Sequence, residues 1–138
     1  MKKYLVLTTA IILTLSACSK KDKFECEVNV ASISGTYKLV SLTYIANGQE
    51  MDVYKDLDDC QKDDLFIFNA DGTYKYKDAG LTCSSNEEIN STWSLHGNSL
   101  IVDGVPTTIQ QFNCSQLTLG SSGFMTSGDK MLAVYTKQ

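Results

Sequence analysis

From residue 35 to the C-terminus the chain is a succession of short segments in which apolar and polar residues alternate, each closed by Gly, Asn, Asp or Ser. A period of two puts successive side chains on opposite faces of a strand, so such segments bury one face and leave the other to water. Proline occurs only at Pro106, so little interrupts ladder formation. The single weak helical stripe lies between residues 47 and 62.

Turn chemistry sets the pairing. Leu65-Phe66-Ile67-Phe68 runs into Asn69-Ala70-Asp71-Gly72-Thr73 and out through Tyr74-Lys75-Tyr76-Lys77. A three-residue loop, Ala70-Asp71-Gly72, with Gly72 left-handed in a bulge, pairs Phe68 with Tyr74 and Phe66 with Tyr76. That register collects four aromatic rings on one face and Lys75 and Lys77 on the other. A two-residue turn would slip the register by one and scatter them, so the hydrophobic pattern selects the bulged turn. In the next hairpin, Gly97-Asn98 pairs Leu95 with Leu100 and Trp93 with Val102, which form its inner face. Ser94, His96, Ser99 and Ile101 point outward.

Further strands are expected at 36–44, at 105–112 after Asp103-Gly104, and at 115–119 and 130–136 on either side of the Gly- and Ser-rich segment 120–128. About eight consecutive strands with short turns make an all-β antiparallel meander, which removes its exposed edges by closing into an up-and-down barrel. An eight-stranded barrel is just wide enough to be filled by side chains or to hold one small ligand. The acidic stretch 48–64 breaks the rhythm. It is expected to be a lid-like loop with a short helix near 51–57, crossing one end of the barrel.

The N-terminus carries an address. Met1-Lys2-Lys3, an apolar run over 4–15 and Leu15-Ser16-Ala17-Cys18 have the form of a secretory signal, and the run is too short to span a bilayer as a stable helix. The Leu-Ser-Ala-Cys ending resembles the lipobox of bacterial lipoproteins, which implies cleavage before Cys18 and lipidation of its sulfur. The expected division is a signal peptide at 1–17, a lipid-anchored tether at 18–32 and one barrel domain at 33–138. The net charge of −4 falls to about −6 without Lys2 and Lys3, and the chain has no arginine. An acidic, arginine-free domain is not built for nucleic acid, nor for bidentate capture of carboxylates or phosphates. Cys26, Cys60, Cys83 and Cys114 remain after Cys18. They form no CxxC pair, and an exported chain with four such residues reads as carrying two disulfides, for which three connectivities are open.

Gly35-Thr36-Tyr37-Lys38-Leu39-Val40-Ser41 is similar to the Gly-x-Trp opening of lipocalin-like barrels. Cys60-Gln61-Lys62-Asp63-Asp64, Phe68-Asn69-Ala70-Asp71-Gly72-Thr73-Tyr74, Cys83, Thr92-Trp93-Ser94-Leu95 and Gly97-Asn98-Ser99-Leu100 follow in order. The set resembles the lipocalin-like lipoproteins abundant in Bacteroidetes. The resemblance implies an eight-stranded up-and-down barrel, secreted and lipid-anchored. It also implies a disulfide between Cys60 and Cys83, with Cys26 and Cys114 as the second pair. Two departures stand out. Tyr37 replaces the opening tryptophan, and the arginine that packs over that ring in many lipocalins has no counterpart.

No catalytic set is legible. His96 stands at a hairpin tip without a nucleophile or orienting acid in its motif, and no Gly-x-Ser-x-Gly elbow is present. The Asp residues of 56–64 lack the spacing of a calcium loop and read as turn and cap residues, so neither a metal nor a cofactor is expected. The functional expectation rests on an inner aromatic face. Tyr37, Phe66, Phe68, Tyr74, Tyr76 and Trp93 are the expected ligand-binding residues for a small apolar or amphipathic molecule, without catalysis. The alternative is a filled barrel whose loops, 48–64 or 120–128, contact another envelope protein. Ser19-Lys20-Lys21-Asp22 lacks an acid-rich start, which points to an outer-membrane anchor facing the periplasm.

Overall fold

The computed structural model describes residues 26–83 and 88–138. The signal segment 1–17 and Cys18 lie outside the described residues. A four-residue helix α1 (Val30–Ile33) leads into β1 (Gly35–Ala46) and β2 (Gln49–Asp52). A 3-10 turn (Tyr54–Asp56) and helix α2 (Asp59–Lys62) follow. Then come β3 (Leu65–Phe68), β4 (Thr73–Lys77), β5 (Glu88–His96), β6 (Ser99–Val102), β7 (Val105–Phe112), β8 (Gln116–Ser122) and β9 (Lys130–Lys137).

All pairings are antiparallel and each strand from β3 onward pairs with the next. The long β1 closes the ring, taking β3 on one edge through Gly35–Lys38 and β9 on the other as far as Ile45. The fold is therefore all-β, with eight strands in a closed circuit. Bulges between Leu39 and Ser41 in β1 and between Ile109 and Gln111 in β7 bend those strands, as closure requires.

The two central hairpins take the expected registers. Phe66 faces Tyr76 and Phe68 faces Tyr74 across the Ala70-Asp71-Gly72 loop, with Gly72 at φ 86°. The Asp71 carboxylate holds that loop by accepting from the Thr73 amide at 2.9 Å and from its hydroxyl at 2.6 Å. Trp93 faces Val102 and Leu95 faces Leu100 across Gly97-Asn98.

The stretch after β1 differs from expectation. Asn47 and Gly48 both have positive φ, 53° and 74°, the backbone of a tight primed turn, and this folds 49–52 back on β1 as a ninth strand. The short helix expected near 51–57 is a 3-10 turn at Tyr54–Asp56, and the α-helical turn comes later, at Asp59–Lys62 behind an Asp58–Gln61 capping box. Asp58 and Gln61 are a better start signal than anything in 51–57, where a strand already occupies the first two positions.

Both disulfides form, Cys26 to Cys114 and Cys60 to Cys83, with Cα separations of 5.4 and 5.2 Å. They sit at opposite ends of the barrel. The first fastens the chain ahead of α1 to the β7–β8 turn. The second ties α2, ahead of β3, to the exit of β4.

Candidate functional site

The inward side chains fall into two layers. At the end covered by α1, Ile33, Tyr37, Phe68, Trp93, Phe112 and Leu117 are buried in one cluster with Leu100 and Ile109. Each buried aromatic or branched side chain contributes roughly 1.5–3 kcal/mol of transfer free energy. Polar atoms in this layer are spoken for. The Tyr37 hydroxyl donates to the Ile33 carbonyl at 2.8 Å, and Trp93 Nε1–H donates to the Asn69 carbonyl at 2.8 Å. Asn29 caps α1, accepting from the Ser32 amide at 2.9 Å, so the plug is held by its own box.

Lys137 fills the place that the sequence seemed to leave vacant. Its Nζ lies 5.7 Å from the centre of the Tyr37 ring and donates to the Ser32 carbonyl at 2.9 Å. A lysine over a tyrosine thus replaces the arginine over a tryptophan, and the expectation of no counterpart is corrected. Sequence reading missed it because the two residues lie 100 positions apart and meet only when β9 closes on β1.

Toward the other end the inward rings are only partly buried. Phe66 lies edge-on to Tyr76 at 5.5 Å and to Tyr135 at 5.0 Å, and Phe68 bridges the layers by packing on Tyr74 at 5.3 Å and on Trp93 at 5.4 Å. Burial lifts the Tyr74 and Tyr135 phenols to about 12, with the neighbouring Tyr135 adding to the effect on Tyr74. Neither hydroxyl meets a hydrogen-bond partner among the described residues. Solvent nevertheless reaches Phe66, Tyr74, Tyr76 and Tyr135. The inward rings at this end, which we call the open end, pack against the core yet are less completely sealed than those beneath α1.

The six residues expected at a ligand site are therefore divided by depth. Tyr37, Phe68 and Trp93 form the floor. Phe66, Tyr74 and Tyr76 lie above it, partly exposed. Tyr135 packs on Phe66 beside them, and the alternation Met131, Ala133, Tyr135 in β9 carries the signal of its inward face.

Two buried carboxylates mark the open end. Asp64, 3% exposed, accepts from the Tyr76 hydroxyl and from the Ala79 amide. Asp129, 2% exposed, accepts from the Tyr44 hydroxyl at 2.8 Å and from the amides of Phe124, Met125 and Thr126 at 2.7, 2.8 and 2.8 Å. Burial alone would raise the Asp129 pKa, but the Thr126 and Met125 amides, the Tyr44 hydroxyl and the Phe124 amide outweigh it and hold the carboxyl at about 2.

Outside the ring, a groove of about 470 Å³ runs along β4 and β5, lined by Asn69, Thr73, Tyr74, Lys75, Asn90, Ser91 and Thr92. Another of about 340 Å³ lies beside α1, where His96 and Asp71 border it. No group of three or more metal-ligating side chains forms among the described residues.

Among solved structures, a complex of bovine odorant binding protein with a selenium-containing odorant is similar, with a TM-score of 0.46 and 10% identity over 82% of this chain and 74% of that one. No curated protein matches the chain. The family model for the lipocalin-like domain matches residues 33–120, which runs from the end of α1 into β8 and includes both central hairpins. The chain belongs to the lipocalin-like domain family.

Proposed function

We propose that this protein is an exported, lipid-anchored lipocalin-like barrel that holds a small apolar or amphipathic molecule in its open half, without catalysis. The observation that carries this reading is the depth division. Phe66, Tyr74, Tyr76 and Tyr135 present solvent-accessible rings above a sealed floor, and the Tyr74 and Tyr135 hydroxyls have no partner there among the described residues. Apolar walls with a few polar groups suit the capture of small molecules. A core that existed only to stabilise the fold would gain by pairing or deleting those hydroxyls.

The reading includes an orientation. Cys18 precedes Cys26 by eight residues, which reach at most about 29 Å. Cys26 is bridged to Cys114 at the closed end. An anchor on Cys18 would therefore hold the closed end toward the membrane and turn the open end away, toward the periplasm for an outer-membrane anchor.

Native mass spectrometry of protein purified from its own host tests the reading. A co-purifying small molecule lost on Tyr74→Ala or Tyr135→Ala, with the fold retained, is the expected result. A barrel that is always empty, and that binds none of a panel of amphiphiles, would sink it.

A second reading has its own support. The 123–128 loop, pinned by Asp129, holds up Phe124 and Met125 at 61% and 73% exposure. Adjacent exposed apolar side chains on a fixed loop suit contact with an envelope protein. Cross-linking from this loop in the envelope, with and without Phe124→Ser and Met125→Ser, separates the two readings.

A further inference from the structure

We infer that the molecule held in the open half carries a cationic head group, an ammonium or guanidinium on an apolar body, and this rests on the reading of that half as a ligand chamber. The buried charges at the open end are both negative. Asp64 and Asp129 are both buried there, each takes a tyrosine hydroxyl, and neither lies within ion-pair distance of a lysine among the described residues. Lys137, the inward-facing lysine of β9, is at the opposite end, beneath the floor and engaged with Tyr37 and Ser32. Hydrogen bonds satisfy the two carboxylates but leave their charge uncompensated, so the negative potential extends into a low-dielectric, ring-lined space.

The rings point the same way. The faces of aromatic side chains are electronegative and attract cations, most strongly where water is excluded. Phe66 sits between Tyr76 and Tyr135 with its edge or face offered to each, so the chamber wall presents several ring faces within one ligand's span. An anionic head would meet two carboxylates and negative ring faces. A neutral head would use the phenols but gain nothing from the charge.

Calorimetric titration of the full, disulfide-bonded chain with decyltrimethylammonium, decanol and decanoate, below their aggregation limits, tests this with one tail and three heads. The ammonium is expected to bind at least about tenfold tighter than decanol, and decanoate weakest. Asp64→Asn should narrow the gap between ammonium and decanol, and Tyr135→Leu should weaken the ammonium several-fold. If either variant fails to fold, the head-group order on the unaltered chain decides. Equal affinities, tightest binding of decanoate, or ammonium binding that Tyr135→Leu leaves unchanged would overturn the inference while leaving a chamber in place. If none of the three binds, the chamber reading itself falls.

Discussion

At the end of the barrel where α1 lies, Tyr37, Trp93 and Phe112 are packed out of reach of water, and the hydroxyl and indole N–H are paired to backbone carbonyls. At the other end, Phe66, Tyr74 and Tyr135 belong to the same strands and the same alternation, yet they stay wet, and two of them keep idle hydroxyls. Strand pattern cannot account for the contrast. What differs is the covering. Each end carries a capped helix and a disulfide, but α1 buries Ile33 and is held by Lys137, whereas α2 buries no residue and loops held by buried carboxylates rim its end. One end is built for stability. The other is where we place the ligand.

The disulfides give the largest expected effects. The Cys26–Cys114 bridge spans 88 residues and Cys60–Cys83 spans 23. Chain-entropy arithmetic assigns about 4.6 kcal/mol to the first and about 3.4 kcal/mol to the second. Paired Cys→Ala variants, followed by urea unfolding, should show the closed-end bridge to be the costlier loss. The reverse order would break the view of that end as the barrel's anchor.

Single aromatic deletions sharpen the contrast. Trp93→Ala removes a buried ring and its hydrogen bond to the Asn69 carbonyl, and should cost about 3–5 kcal/mol. Tyr135→Ala, at a wetter position with no hydroxyl bond to lose, should cost about 1–2 kcal/mol. Ligand binding should respond in the opposite sense, with Tyr135→Ala abolishing it in a folded protein. Equal stability losses would mean that both layers are core.

How far the sequence carried this division can be judged residue by residue. The pairing of Phe66 with Tyr76 was legible because Ala70-Asp71-Gly72 admits one register that keeps the rings together. Strand β2 was not, because all four of its residues are exposed and no alternation marks it, although Asn47-Gly48 is a strong turn signal. The partner of Tyr37 was sought among arginines and proved to be a lysine. Most of all, alternation reports whether a side chain faces in or out, and not how deep along the barrel it lies. Six inner residues could be named, but the separation of Tyr37, Phe68 and Trp93 from Phe66, Tyr74 and Tyr76 depends on which end α1 covers. A four-residue helix leaves too little periodicity to be seen in advance.

Alkaline pH probes both layers with one spectroscopic signal. Burial lifts Tyr37 to about 12, and burial, joined for Tyr74 by the nearby Tyr135, does the same for Tyr74 and Tyr135. A pKa raised above the unfolded value of 10.0 contributes stability that is fully present below pH 10 and is lost as pH rises through about 12. Ultraviolet titration should therefore show these three phenols ionising together with unfolding. Early titration of Tyr74 or Tyr135 in the native state would show their surroundings to be wetter than the closed end.

The smallest effect is expected in acid, and it falls on the open end alone. The 123–128 loop is organised by one carboxylate: Asp129 Oδ1 accepts from the Phe124 amide, and Oδ2 accepts from Met125, Thr126 and Tyr44. Its pKa is lowered from 3.8 to about 2, so its contribution is fully present above pH 4 and is lost as pH falls through 2. The closed end depends on bonds that do not titrate in this range: Asn29 with Ser32, Tyr37 with the Ile33 carbonyl, and the charged Lys137 with the Ser32 carbonyl. Hydrogen exchange between pH 4 and 2 should therefore accelerate at the amides of Phe124, Met125 and Thr126 beyond the intrinsic change, while those of Ser32 and Ser34 keep their protection. Asp129→Asn should loosen the same three amides at neutral pH, because the new NH2 group turns a donor toward donors. Matched loosening at both ends would mean that the loop and the plug open as one unit, and the two ends would then differ in what they hold but not in how they are held.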